Sequence, residues 1–188
     1  TNFQHVHPTF DVKTGTFTMD GFTFPTDGAY LVFADFTAAD AQKDEMGMKL
    51  PSTPYKDVAV GDMSKYTPVA LDNDKLMSDT DGFMAEITPP PSDDAASSLT
   101  YTAKNGGVVS IDIKKDGQVY KQLESYLGAL GHLVALGPNL EFVHAHPLSE
   151  DTKNQYGFVM FNTNFPEPGR YKLYLQTQAN NKVSTFDF

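Results

Sequence analysis

One string of residues occurs twice in this chain, in the same order. Phe3–Pro8 reads FQHVHP and Phe142–Pro147 reads FVHAHP. Downstream of each, Phe17, Met19, Phe24, Pro25, Gly28 and Tyr30 match Phe158, Met160, Phe165, Pro166, Gly169 and Tyr171, after a small shift in spacing. Ordered matching over about 30 residues marks two copies of one strand–turn–strand unit. The runs between the matches are short and rich in Phe, Tyr, Thr and Val. Gly, Pro and Asp punctuate them, which is the pattern of a β-sandwich. The copies are unequal. Strand-like runs LTYTA, VVSIDIKKDGQVY and GHLVAL precede the second copy, and nothing comparable precedes the first. The first copy therefore opens in mid-domain: the chain was trimmed ahead of it, or the missing strands come from elsewhere.

Helical signals are weak. Ala38–Met48 is the best candidate and is short, and QLESYLGAL, with its glycine, fits one helical turn or a loop. Pro89–Ser98 reads as an extended loop, too rich in proline for a helix. The expected fold is all-β, with two β-sandwich lobes joined near Tyr66. Residues 1–65 form an incomplete N-terminal repeat with an acidic linker, and residues 66–188 a complete C-terminal sandwich. Its strands are LTYTA, SIDI, HLVAL, FVHAH, GFVMFNTNF, YKLYLQT and VSTFDF. Period two then turns Tyr171, Leu173 and Leu175 to the core. The recurring F-P-x-x-G at Phe24–Gly28 and Phe165–Gly169 reads as a structural turn, with Pro fixing φ and Gly permitting the tight bend.

All five histidines fall in or beside the repeated motifs. His144 and His146 stand one residue apart in a strand-like run, so both project to one face, about 6–7 Å apart along the backbone. That spacing lets two imidazoles converge on one ion, and neutral imidazole is the commonest such ligand. His132 lies in GHLVAL, and turn residues in LGPNL fold that run back as a hairpin, bringing His132 towards His144 and His146. His132, His144 and His146 are thus candidate metal ligands, with His5 and His7 as first-copy counterparts. The first copy has no equivalent of His132. Because only neutral imidazole binds, affinity is expected to fall as pH drops through about 6.5.

Composition narrows the chemistry. Net charge is −10, which argues against nucleic acid and anionic membrane surfaces. The chain has no cysteine, so disulfides, thiolate catalysis, Cys-based zinc sites and blue-copper centres are excluded. A histidine-brace centre needs an N-terminal His, and residue 1 is Thr. No apolar run is long enough to span a membrane as a helix. No leader pattern opens the sequence, and Thr1 in place of Met reads as a processed or trimmed start. Nucleophile-elbow, P-loop and dinucleotide motifs are missing. Asp79-Thr80-Asp81-Gly82 fails the EF-hand register and reads as a turn. Met19 and Met160 read as core gap-fillers. Met160, Met46 and Met48 are further ligand candidates through their thioethers.

The combination YLGALGHLVAL…LEFVHAHP…FNTNFPEPGRYKLYLQTQ resembles a bacterial extracytoplasmic immunoglobulin-like family, of the YtkA-like and CopC-like kind. The segment HVHP…FTFPTDGAYLVFADFT resembles the partner copy found in tandem with it. The resemblance implies a tandem immunoglobulin-like (cupredoxin/CopC-like) sandwich in the periplasm, cell envelope or secreted space. It further implies that the protein is not an enzyme: it holds or relays copper, with zinc as the alternative, and another envelope metal-handling protein is a partner. By position, His132, His144, His146, His5 and His7 carry over as the family's histidines. Two other readings stand beside this one. The chain is a structural or interaction module whose histidines pack or blunt a sheet edge, or a zinc enzyme with three histidines and an open water position.

Overall fold

The computed structural model describes residues 2–44, 47–65, 75–88, 107–148 and 156–188. Among them the chain is all-β: there are thirteen strands, one turn of 3-10 helix at Met63–Lys65, and no α-helix. It divides into two units, Thr1–Ala70 and Leu71–Phe188. The junction expected at Tyr66, the Pro89–Ser98 loop and the LTYTA run all lie outside the described residues.

In the first unit, β1 (Thr9–Asp11) and β2 (Thr16–Thr18) form a hairpin that sets Phe10 opposite Phe17, their rings 4.7 Å apart. The Asp11 carboxylate closes its turn, accepting from Lys13 N at 2.8 Å and Thr14 Oγ1 at 3.0 Å. β3 (Gly28–Phe33) and β4 (Tyr55–Val60) make a second antiparallel pair. No helix forms in the described part of Ala38–Met48. Instead the chain doubles back, with a bridge between Lys43 and Lys49 and a 2.8 Å hydrogen bond from Asp44 N to Met48 O.

The second unit is a sandwich of two antiparallel sheets. One contains β5 (Met77–Thr80), β6 (Phe83–Thr88), β7 (Gly107–Lys115), β8 (Gln118–Val119) and β11 (Phe158–Thr163). The other runs in the order β10 (Phe142–Ala145), β9 (His132–Leu136), β12 (Lys172–Ala179) and β13 (Lys182–Asp187). Alternate residues meet between them: Ile87, Ile111 and Phe161 from the first sheet face Leu133, Leu175 and Phe186 from the second, all essentially sealed from solvent. β5 and β6 went unread in the sequence because FMAEIT sits in a polar stretch. Their hairpin turns on Asp81 and Gly82, both with positive φ, and Asp81 accepts from Lys182 and from Ser184 Oγ. Of Asp79–Gly82, read as a turn in the sequence, only Asp81 and Gly82 make the turn, and Asp79 and Thr80 end β5.

Both edges of the two sheets are tied together. At one, Asp187 N donates to Ser78 Oγ at 3.1 Å and Thr80 Oγ1 donates to Thr185 O at 3.0 Å. At the other, Pro147 bridges to Phe161 and Leu148 N donates to Met160 O at 2.8 Å. The chain therefore ends its pairing with β9 after Ala145, the last residue of β10, and passes to the opposite sheet, where proline's missing donor costs no ladder bond.

Leu173 and Leu175 face the core and Tyr171 packs at its margin, as period two requires. The outward residues Lys172, Tyr174 and Gln176 are buried as well, so β12 is covered on both faces. Two expectations fail. Met160 is 37% exposed and Met19 is exposed too, so neither fills a core. In β11, Val159 and Phe161 take the inward positions, which leaves Met160 pointing out. The segment carrying His5 and His7, which the repeat predicts as a strand, is irregular.

The two F-P-x-x-G segments share one local geometry. Phe24 and Tyr30 rings lie 4.7 Å apart, and Phe165 and Tyr171 rings 4.8 Å apart, both tilted. Each phenol donates four residues back at 2.8 Å, Tyr30 to Thr26 O and Tyr171 to Glu167 O. The glycines serve different ends. Gly28 has a φ of 153°, whereas a Cβ on Gly169 would meet Pro138 Cγ at 2.9 Å.

Candidate metal centre

Sequence and turn chemistry build the site in three steps. Tyr126-Leu127-Gly128-Ala129 is a two-residue hairpin turn, closed by Tyr126 N to Ala129 O at 2.8 Å and Ala129 N to Tyr126 O at 3.1 Å. Leu127 (φ 49°) and Gly128 (φ 88°) both lie in the left-handed region that such a turn demands. Upstream, Glu124 anchors the loop to β12 and its turn: its backbone donates to Gln178 O, and its carboxylate accepts from Gln178 Nε2 at 3.0 Å and Asn181 N at 2.9 Å. Those hydrogen bonds lower the Glu124 pKa. The turn aims the Tyr126 carbonyl at β9.

β9 and β10 then form the expected hairpin, with Leu136 opposite Phe142 and Val134 opposite His144. Opposed residues of an antiparallel pair share a face. Leu133, Ala135 and Ala145 enter the core, so His132 and His144 stand on the outer face. His146, one residue beyond the end of β10, sits at the corner where the chain changes sheets.

The three rings converge. Centroids are 5.6 Å apart for His132 and His144, 4.8 Å for His132 and His146, and 4.7 Å for His144 and His146. His132 is only 1% exposed, His144 half-buried and His146 exposed. Tyr126 covers His132 edge-on, ring to ring at 5.8 Å.

The hydrogen bonds fix which nitrogen does what. His132 Nε2 lies 2.8 Å from Tyr126 O. A carbonyl only accepts, so Nε2 carries a proton, and in the neutral ring the Nδ1 lone pair is the acceptor. That lone pair faces His144 Nε2 at 3.4 Å. A carbonyl on the far nitrogen is the usual device for orienting a metal-binding imidazole. No motif in the sequence singles out Tyr126 for this part, because its contribution comes from the backbone.

His5 and His7 belong to the first unit, with rings 5.2 Å apart and edge-on. Met160 projects from the outer face of the other sheet, so the sandwich core separates it from His132 and His144. Met48 is an exposed residue of the first unit, and Met46 lies outside the described residues.

Next to the histidines the same outer face carries a buried polar row. Gln176 of β12 stands opposite His132, and its Nε2 donates to Thr185 Oγ1 of β13 at 3.0 Å. Two rows further, beyond Tyr174, Lys172 is buried and donates to Asp187 Oδ2 at 2.7 Å, while Lys75 donates to Oδ1 at 3.0 Å. Burial pushes the Asp187 carboxyl up, and the two ammonium groups more than offset it, holding it down at about 2.

Comparison with known proteins returns one finding. A family model described as Domain of unknown function (DUF8832) matches residues 93–188, just over half of the chain. No curated protein and no solved structure matches. The matched region holds β7 to β13, and with them His132, His144 and His146. The chain belongs to this family, Domain of unknown function (DUF8832).

Proposed function

We propose that the second unit binds one transition-metal ion, copper or zinc, between His132 and His144, with His146 as a third ligand at the mouth of the site. The observation that carries this reading is the 3.4 Å separation of His132 Nδ1 from His144 Nε2. Two nitrogens bound at about 2.05 Å and subtending a tetrahedral angle stand roughly 3.3 Å apart. Neighbouring ligands of a square-planar ion stand only about 2.9 Å apart. The spacing therefore supports Zn(II) or Cu(I) over square-planar Cu(II). The metal-free protein holds the same spacing with a proton, His144 Nε2–H donating to His132 Nδ1.

The resemblance to extracytoplasmic immunoglobulin-like copper proteins supports holding or relaying the ion rather than turning over a substrate. The phenol of Tyr171, bonded back to a backbone carbonyl at the entry to a strand, is also a habit of immunoglobulin-type sandwiches. A second reading has its own support. A ring as buried as His132, with both nitrogens already engaged, suits an interaction module in which the histidine is a packing residue.

Calorimetric titration of chelator-treated protein with Zn(II), and with Cu(I) under reducing conditions, separates the two. The metal reading expects one ion per chain, and affinity reduced by about a hundredfold or more when His144 and His146 both become Ala. Binding no tighter than about millimolar in the wild type would leave only the packing reading.

A further inference from the structure

We infer that the edge of β3 lying away from β4 pairs with β3 of a second copy of this chain, making a two-fold dimer through the first unit. The inference is independent of the metal reading. β3 and β12 are matched strands of the two repeats, Gly28 and Tyr30 answering to Gly169 and Tyr171. Their surroundings differ. β12 is an inner strand, with β13 on one edge and β9 on the other. β3 has β4 on one edge, and among the described residues no strand pairs with the other. The match identifies that second edge. Val32 corresponds to Leu173, whose N–H and C=O are bonded to Phe188 on the β13 side. Along β3 the same set turns to β4, since Ala34 N donates to Pro54 O at 2.9 Å and the direction alternates residue by residue. β4 thus stands where β13 stands. The backbone of Ala29 and Leu31 faces the edge that β9 fills in the second unit.

The composition of that edge points the same way. Exposed edges are ordinarily blunted by charge or proline. β4 carries Lys56 and Asp57, and the edge strands β5 and β13 carry Asp79 and Lys182. β3 reads GAYLVF, with neither charge nor proline, and its Leu31 and Val32 are 39% and 43% exposed. A two-stranded sheet is marginal in water, and further strands stabilise it.

A second β3 suits this edge because the strand is complementary to itself. Two copies related by a two-fold axis run antiparallel there, each offering the same patch. With Leu31 on the axis, it lies opposite Leu31 of the second copy, and Ala29 lies opposite Phe33, small against large. On the other face Tyr30 lies opposite Val32, an aromatic against a β-branched residue, which stabilises a sheet. No charge enters the paired segment. The product is one continuous sheet in the order β4–β3–β3–β4. Its contact is smaller than the roughly 1,600 Å² of a standard interface, so the dissociation constant should be on the order of 10–100 µM.

Sedimentation of the full chain from about 1 µM to about 1 mM tests this, and the wild type should pass from monomer to dimer over that range. Leu31→Lys and Leu31→Glu should each weaken association at least about tenfold, because like charges then stand opposite each other. An equimolar mixture of the two should recover it, since Lys then meets Glu on the axis. Leu31→Cys introduces a single thiol into a chain that has none. Opposed Cα atoms about 5.5 Å apart lie within disulfide range, so mild oxidation should cross-link this variant as a dimer. A wild type that stays monomeric at about 1 mM overturns the inference and leaves the edge to a strand of another protein. Association unchanged in both charged variants, or a mixture that fails to recover it, overturns it as well. Should a charged variant not fold, the thiol decides: cross-linking no faster than in Val12→Cys, at a position 80% exposed and away from β3, overturns the pairing.

Discussion

Asp187 shows how a single carboxylate serves the outer face of this sandwich. It joins two lysines, of which Lys172 has a side chain only 4% exposed, and its pKa falls from 3.8 to about 2. A depressed folded-state pKa gives stability that is present above the unfolded value and is lost as pH falls from about 4 towards 2. Allowing for partial exposure, the contribution is on the order of 1–2 kcal/mol. Replacement by Asn leaves the Lys172 charge buried without its counter-ion, so the total loss at neutral pH should reach about 2–4 kcal/mol. Urea unfolding of Asp187→Asn and wild type at pH 7 and near pH 2.5 measures this. The difference should narrow at the lower pH, and a constant difference would contradict the assignment. Lys172 and Gln176 also mark the limit of reading residues one at a time. In KLYLQTQA Lys172, Tyr174 and Gln176 alternate with Leu173 and Leu175 as on a solvated face, and no local signal reveals that this face is covered.

At the scale of elements, the hairpin β9–β10 was legible because LGPNL supplies turn residues and the histidine spacing has period two. What escaped was where β10 ends. Strand propensity cannot show that the chain changes sheets at His146, since the bridge from Pro147 to Phe161 is a contact distant in sequence. The YLGA turn was left between helical turn and loop for a related reason: its first central residue is Leu, which seldom accepts positive φ. That residue carries strain, and the prediction follows directly. Leu127→Gly or Leu127→Asn should raise stability by up to about 1 kcal/mol. Gly128→Val should lower it by at least about 1 kcal/mol and, on the proposed metal-binding reading, weaken affinity through the misplaced Tyr126 carbonyl. Thermal melts of the three variants decide it. A Leu127→Gly protein less stable than wild type would mean that the side chain, half-buried as it is, contributes more by packing than the turn costs. The methionines went wrong through the same gap, because a matched position in a repeat says nothing about which face it takes.

For the whole molecule, burial is unevenly shared. The second unit closes a core of aromatic and branched side chains between two sheets, whereas β1–β2 leaves Phe10 and Phe17 exposed on a lone hairpin. Isolated two-stranded hairpins are marginal in water. Amide exchange should therefore be slowest in β7 and β12 and fast in β1 and β2, and comparable protection in all four would refute this division. Phe161→Ala should remove about 3–5 kcal/mol from the second unit. The two matched turns, finally, bear on the order of events as the chain folds. Each is held by a ring contact six residues apart and a phenol bonded four residues back. Closing so short a span costs little chain entropy and takes well under a microsecond, while β3 must still find β4 and β12 must find β9, partners much further along the chain. Both corners can thus be set before any sheet exists, giving β3 and β12 their starting direction while the rest of the chain is still searching.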